Sequence, residues 1–143
     1  MPQSENDCIQ CEPEVHKHAS KDACIFCKIA RGEIKAEKIA ESNNFFAIKD
    51  IHPVAEGHLL VIPKKHFVTL LDIPDNLGEE LLNFLKKVSS YLLDKKLGDA
   101  FNIAMSNLEP AGQEVMHAHI HVIPRKEGDG IRFFMKVREV KEE

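Results

Sequence analysis

Three histidines alternate with apolar residues late in this 143-residue chain. They are His117, His119 and His121, with Ala118 and Ile120 between them. Period two is the period of a β-strand, so the spacing predicts a strand with three imidazoles on one face and apolar side chains on the other. On a helix the same rings would scatter around the axis. An imidazole face is costly to bury unless it hydrogen-bonds, binds a ligand or binds a metal.

Length and charge narrow the class of protein. A chain of this size suits one domain with a sizeable core. The net charge of -4 argues against a general nucleic-acid binder, which usually carries a basic face. No segment is apolar enough to span a membrane, and residues 1–23 lack the apolar run of a signal peptide. We therefore predict a cytoplasmic location, with no membrane and no nucleic acid among the partners.

Apolar periodicity predicts one short and one long helix among several strands. The long helix is expected over residues 72–96, where leucines recur at helical spacing. A short helix or turn is expected over residues 24–33. Strand patterns cover residues 38–42, 44–49, 57–63, 101–107 and 116–125.

Four cysteines form two Cys-x-x-Cys pairs, which in a cytoplasmic protein indicate metal ligands or free thiols. Cys24 and Cys27 have the spacing of a zinc half-site and need two further ligands. Cys8 and Cys11 lie in the polar residues 1–23 and form a candidate second zinc half-site. The alternative for that pair is a tail whose thiols bind nothing in particular.

The residues from His117 to Ile123 resemble the His-x-His-x-His signature of the histidine triad (HIT) superfamily of nucleotide hydrolases and transferases. Further segments match the family in type and order, from Cys24 to Arg125. They are Cys24–Ile29, Asp50-Ile51, Gly57–His66 and Ala111–Gln113. The resemblance implies a HIT domain over residues 24–143, preceded by a polar extension over residues 1–23.

The fold that the resemblance implies is α+β and HIT-like, with an antiparallel sheet of about five strands, one long helix and one short helix. A homodimer is expected. Zinc-bearing members hold the ion with residues that match Cys24, Cys27, His66 and His117. Two thiolates and two neutral imidazoles close a tetrahedron around Zn²⁺, so this zinc would be structural and would leave no position for a catalytic water.

The resemblance also implies a covalent mechanism on the α-phosphate of a purine nucleotide. His119 would attack the phosphorus, His121 would hold phosphate oxygens, and water would then release a nucleoside monophosphate. His117 cannot act as a free acid if it binds zinc, and would then position His119 through its backbone. The leaving-group acid stays open, as does the choice between the phosphoramidase and the dinucleoside polyphosphate hydrolase branches.

Two other functions compete with the hydrolase. One is a nucleotide-binding regulator with little turnover, and the other is a zinc module for protein contacts. The complete triad and Asp50 argue against the zinc module. Only an assay distinguishes the hydrolase from the regulator.

Nucleotide-binding residues follow from the same resemblance. The Asp50 carboxylate would accept the ribose hydroxyls, because a carboxylate can accept two hydrogen bonds from a vicinal diol. Apolar side chains around it would hold the base, although without the resemblance their spacing favours ordinary core residues. Asn107 and Gln113 would contact phosphate or leaving group, or else form the turn. The four candidates for the base pocket are Phe26, Ile29, Ile48 and Ile51.

One residue departs from the family pattern. Glu114 stands where a small hydroxyl residue is usual. A carboxylate near phosphates would repel them, so Glu114 either points away from the site or changes the preferred leaving group.

Overall fold

The computed structural model describes residues 23–132. The candidate half-site of Cys8 and Cys11 lies outside these residues. Within them the chain forms two α-helices and five strands in the order α1 (Ile25–Ala30), β1 (Lys38–Glu41), β2 (Phe45–Lys49), β3 (Leu59–Pro63), α2 (Gly78–Asp94), β4 (Ala100–Ala104) and β5 (Ile120–Arg125).

The five strands form one sheet in the order β1-β2-β3-β5-β4. Every neighbouring pair is antiparallel, which confirms the predicted α+β fold with its five-stranded antiparallel sheet, long helix and short helix. Strand β5 lies between β3 and β4, although α2 and β4 separate it from β3 along the chain. The histidine segment therefore adjoins the central strand of the sheet.

One face of the sheet packs against α2. Phe45 stacks on Phe84 with ring centroids 6.3 Å apart. The alternation of strand side chains brings every second apolar residue to this core. Its buried members are Phe45, Ala47, Leu59, Val61, Ile120 and Val122 from the sheet, with Phe84, Val88 and Leu92 from the helix.

The opposite face packs against α1. Phe46, Ile48, Leu60 and Ile62 alternate with the residues of the first core and form a second buried cluster. Cys24, Phe26, Cys27 and Ile29 complete it. His121 pairs with Leu60 across the β3–β5 ladder and so belongs to this face. The short helix therefore covers the side of the sheet that carries the histidines.

Helix α2 begins at Gly78, six residues later than the predicted start at residue 72. Two 3₁₀ turns, Leu70–Asp72 and Asp75–Leu77, occupy the intervening chain. Thr69 and Asp72 cap the first turn with a reciprocal capping box. Pro74 has no backbone N–H, so it cannot donate a helical hydrogen bond between the two turns. Among residues 23–132 no helix is both long and apolar enough to cross a bilayer.

Candidate active site

Strand β5 begins at Ile120, so of the three triad histidines only His121 lies in a regular strand. The prediction of a strand from residue 116 is wrong at its start. The physical reason lies in β3, which ends at Pro63. Proline has no N–H for a ladder, and the Pro63 carbonyl accepts a hydrogen bond from His117 Nε2 at 2.8 Å instead. Next to it, the Ala118 N–H donates to the Phe67 carbonyl at 2.6 Å.

A buried Cys₂His₂ cluster lies beneath the approach to β5. Cys24 Sγ lies 3.2 Å from His117 Nδ1, and Cys27 Sγ lies 3.1 Å from His66 Nδ1. One potential ligand atom from each residue lies within 4.8 Å of the others. All four side chains are buried. Hydrogen bonds from Cys27 first, then from His117 and His66, hold the pKa of the Cys24 thiol well below its usual value.

This donor set fits a zinc ion. Two thiolates and two neutral imidazoles are a usual tetrahedral set for Zn²⁺. His117 uses Nδ1 toward the thiols and Nε2 toward the Pro63 carbonyl, the arrangement typical of a metal-bound imidazole oriented by a backbone acceptor. Both ring nitrogens of His117 are thus engaged, and none remains for acid catalysis.

His119 is held by the backbone of the same segment. Its Nδ1 donates to the His117 carbonyl at 2.8 Å. The neutral ring therefore carries its proton on Nδ1 and keeps the lone pair of Nε2 for an electrophile. Burial lowers the pKa of His119, partly offset by this hydrogen bond. Phe26 packs edge-on against the ring, with centroids 5.2 Å apart.

A fourth histidine belongs to the site, and sequence reasoning gave it no role. His58 Nε2 lies 2.9 Å from His121 Nδ1, and Asp50 Oδ2 lies 3.3 Å from the same His58 atom. The Val54 N–H donates to His58 Nδ1 at 3.2 Å. Neutral His58 therefore carries its proton on Nε2 and donates it toward His121 and Asp50. His121 in turn keeps its own proton on Nε2.

His58, His121 and Asp50 form a hydrogen-bonded relay. Its two imidazoles are neutral at neutral pH. Burial is the main cause that lowers the pKa of His121, to about 4, with the nearby rings of His119 and His58 adding to it. Burial also lowers the pKa of His58, although the Asp50 carboxylate opposes the shift. The site therefore presents neutral rings, the form that donates a hydrogen bond through one nitrogen and accepts through the other.

We expect His121 to titrate near pH 4 in the folded protein, measured by NMR of its imidazole. His58→Gln should raise the pKa of His121 while leaving it below its ordinary value, because burial remains. Since the unfolded chain binds this proton near pH 6.5, His121 favours the folded state fully above that pH, and its contribution is lost as the pH falls toward 4. A folded-state pKa of 6.5 or above for His121 would contradict the buried, relay-bound ring.

Residues predicted to bind nucleotide lie around this centre with different exposures. Asp50 is partly buried and accepts from the His52 N–H through Oδ1 at 2.8 Å. Ile51 beside it is 84% exposed. Phe26, Ile29 and Ile48 are buried in the core under α1, and their contact with a base stays a prediction.

The two predicted amides are engaged with the backbone. Gln113 is buried; its Oε1 accepts from Leu108 N at 2.6 Å, and its Nε2 donates to Val68 O at 2.7 Å and to Val115 O at 3.0 Å. Asn107 Oδ1 accepts from Leu70 N at 2.8 Å. These bonds fix the loop before the triad, and contact with phosphate stays a prediction for both residues.

A family model described as the HIT domain matches residues 31–128, more than half of the chain. The chain belongs to the HIT domain family. The resemblance in the histidine motif is thereby confirmed. The match begins after α1, so it leaves out Cys24 and Cys27 of the metal cluster.

Relatives of this HIT protein include named enzymes. An uncharacterised HIT-like protein of Methanocaldococcus jannaschii is 50% identical over 109 residues, which cover 75% of this chain and 82% of that protein. An adenosine 5′-monophosphoramidase of Candida albicans is 41% identical over 113 residues, 76% of this chain and 74% of the enzyme. An adenylylsulfatase of Arabidopsis thaliana is 36% identical over 116 residues, 81% of this chain but only 59% of that longer enzyme.

Solved structures share the fold. A zinc-bound histidine triad family protein of Mycobacterium smegmatis superposes with a TM-score of 0.73 at 37% identity, covering 79% of this chain and 82% of that one. This neighbour and the buried Cys₂His₂ cluster are both compatible with zinc in this protein.

Proposed function

We propose that this HIT protein hydrolyses purine nucleotides at the α-phosphate through a covalent intermediate on His119. The observation that carries the proposal is the 2.8 Å hydrogen bond from His119 Nδ1 to the His117 carbonyl, which leaves Nε2 as the nucleophilic atom. The relatives named adenosine 5′-monophosphoramidase and adenylylsulfatase support a nucleotide substrate.

The reaction has two displacement steps. His119 Nε2 forms a bond to the α-phosphorus while the bond from phosphorus to the leaving group breaks, and the leaving group gains a proton from solvent or from a ring of the site. Water then attacks the same phosphorus, its proton leaves to solvent, and the bond to Nε2 breaks. The product is a nucleoside 5′-monophosphate, and His119 returns to its neutral form.

His121 acts on the phosphate oxygens. Its Nδ1 lies against His58 Nε2, so its own proton on Nε2 is available to a phosphoryl oxygen. A positioned donor that acts on developing charge in a partly dry site lowers the barrier. His58 and Asp50 then serve as positioning residues that hold this tautomer of His121.

The nucleoside is bound beside this relay. Asp50 accepts the ribose hydroxyls, the exposed side chain of Ile51 contacts the base, and Phe26, Ile29 and Ile48 complete the base pocket. An isoleucine that is 84% exposed next to the ribose acceptor offers apolar area that a purine would cover. Asn107 and Gln113 contact phosphate or leaving group by donating an amide N–H, and otherwise hold the loop.

Zinc is structural in this proposal, with one ion held by Cys24, Cys27, His66 and His117. The ion fixes His117, whose carbonyl orients His119. A second zinc on Cys8 and Cys11 stays a prediction from the sequence.

A homodimer is supported by the edge strand β4, where Phe101 and Ile103 are 38% and 45% exposed. The cytoplasmic location also rests on the sequence alone.

The test is detection of the intermediate. The purified protein is incubated separately with adenosine 5′-phosphoramidate and with diadenosine triphosphate, quenched in alkali to preserve phosphorus–nitrogen bonds, and weighed intact. We expect AMP in solution and a mass increase of one adenylyl group, mapped to His119 by fragmentation. Tight binding of AMP with neither product nor adduct from any such substrate would identify the regulator instead.

A further inference from the structure

The two thiols of the buried Cys₂His₂ cluster lie at the start of one short helix. Cys24 is the N-cap of α1, Cys27 is the third residue of that helix, and Cys24 Sγ accepts from the Cys27 N–H at 3.4 Å. The potential ligand atoms of the cluster, both sulfurs among them, lie within 4.8 Å of one another. A Cys-x-x-Cys pair is the arrangement in which many redox-active thiols form and break a disulfide. The pair that suits zinc therefore also suits a disulfide.

The same thiols hold the residue that orients the nucleophile. His117 Nδ1 lies 3.2 Å from Cys24 Sγ and 3.5 Å from Cys27 Sγ. The His117 carbonyl accepts the hydrogen bond from His119 Nδ1 at 2.8 Å. A disulfide sulfur has neither a proton nor a negative charge, so it can neither donate to an imidazole nor ligate zinc as a thiolate. Chemistry at the two sulfurs therefore reaches His119 through one residue, His117.

We propose that a Cys24–Cys27 disulfide, formed by a small oxidant of the peroxide class, releases the zinc and lowers turnover. The inference rests on the proposed hydrolase and adds a redox switch to its site. The two thiolates give up two electrons and the S–S bond forms. The O–O bond of the peroxide breaks, and with two protons from solvent it gives two molecules of water. Zn²⁺ leaves to solvent, both imidazoles stay neutral, and a thiol reductant with zinc reverses the step.

Burial selects the oxidant. Cys24 is 2% exposed and Cys27 is 4% exposed, so a bulky or charged disulfide reagent cannot reach either sulfur in the closed fold. Hydrogen peroxide is small and uncharged. Helix α1 has six residues, a length that is marginal without tertiary packing, and its Ile25 is 44% exposed. Local opening of this helix therefore admits peroxide to the sulfurs without global unfolding.

The test treats the full-length, zinc-loaded protein with hydrogen peroxide, and in parallel with oxidised glutathione as the bulky control. The Cys8→Ser/Cys11→Ser double variant removes the other thiol pair and serves as the matched background. With peroxide we expect one zinc per chain in solution and the loss of two hydrogen atoms from the peptide that carries Cys24 and Cys27. We expect kcat to fall about tenfold or more, because His119 loses its fixed orientation. A phosphine reductant with added zinc should restore kcat, and oxidised glutathione should leave the zinc bound.

A readout without substrate tests the path from the thiols to the nucleophile. NMR of ¹⁵N-labelled imidazoles should show the His119 proton fixed on Nδ1 in the reduced zinc form and a mixture of tautomers after oxidation. The remaining signals should stay dispersed, as expected for a folded chain. An unfolded oxidised chain would overturn the switch, because zinc loss would then act on stability and not on His119.

The other outcomes separate the two proposals. Zinc that stays bound under peroxide, or sulfinic acids that the reductant cannot reverse, overturns the switch and leaves the hydrolase intact. A disulfide with unchanged kcat and unchanged His119 signals overturns it too. A response that disappears in the Cys8→Ser/Cys11→Ser variant would assign it to that pair and also overturn it. No AMP from the reduced protein would overturn the hydrolase, whereas zinc release, the disulfide and the His119 signals would still decide the switch.

Discussion

Replacing Cys24 with serine is expected to release the zinc and to lower the free energy of unfolding by about 3–5 kcal/mol. The estimate follows from linkage: at fixed zinc, each tenfold loss of affinity costs the folded state about 1.4 kcal/mol, and loss of one of four ligands weakens binding by orders of magnitude. Metal analysis of freshly purified protein should fall by one zinc per chain. Urea unfolding should show the loss of stability.

The substitution separates metal binding from helix capping. Cys24 is the N-cap of α1, and its Sγ accepts from Cys27 N at 3.4 Å. Serine is a favoured N-cap, so the start of the helix survives the exchange. Cys27→Ser should lose the metal equally, whereas Ala30→Ser adds a hydroxyl to the same helix outside the donor set and should keep it. A Cys24→Ser protein with an unchanged zinc content and unfolding midpoint would show that this cluster is no metal site.

Local pattern predicted the strands and helices well, and it failed where tertiary contacts compete with it. The alternation of residues 116–125 is satisfied as a regular strand only from Ile120 onward. Upstream, His117 Nε2 donates to the Pro63 carbonyl, and His117 Nδ1 lies against the Cys24 thiol. Period two in the sequence cannot distinguish a paired strand from an irregular segment with other hydrogen-bond partners.

His58, which was given no role from the sequence, shows the same limit of local patterns. His58 precedes an apolar run, and its ring partner His121 lies 63 residues away in the sequence. It meets His121 only because β5 inserts beside β3, after the chain has passed through α2 and β4. That adjacency and its register, Leu60 opposite His121, are properties of the sheet. One signal was available: a polar ring at the start of an otherwise buried strand is costly unless it has a partner.

The metal cluster could be predicted from the sequence, partly from local spacing and partly from family resemblance. The gap between Cys24 and Cys27 is a local feature that survives without knowledge of the fold, and it predicts half of a zinc site. His66 and His117 came from family resemblance, because 39 and 90 residues separate their rings from Cys27. The buried cluster unites all four residues.

His119→Ala is expected to lower kcat by about 10⁴-fold, since it removes the atom that bonds to phosphorus. Binding of AMP should change only a few-fold, because Asp50 and Ile51 remain. His121→Ala removes a donor to the phosphate oxygens and should lower kcat by about 10²–10³-fold. It should still form the adenylyl adduct on His119. Single-turnover assays with adenosine 5′-phosphoramidate measure the rates, and calorimetry measures AMP binding.

The matched control for these exchanges is His52→Ala. His52 is exposed, and its backbone N–H donates to Asp50 Oδ1. The variant therefore also replaces a histidine with alanine, next to Asp50, but it removes no ring of the relay. It should keep wild-type kcat. A His119→Ala protein that still accumulates an adenylyl adduct, or an adduct that maps to His121 in the wild type, would assign the nucleophile to the other ring. The hydrogen bond from His119 Nδ1 to the His117 carbonyl would then serve packing alone.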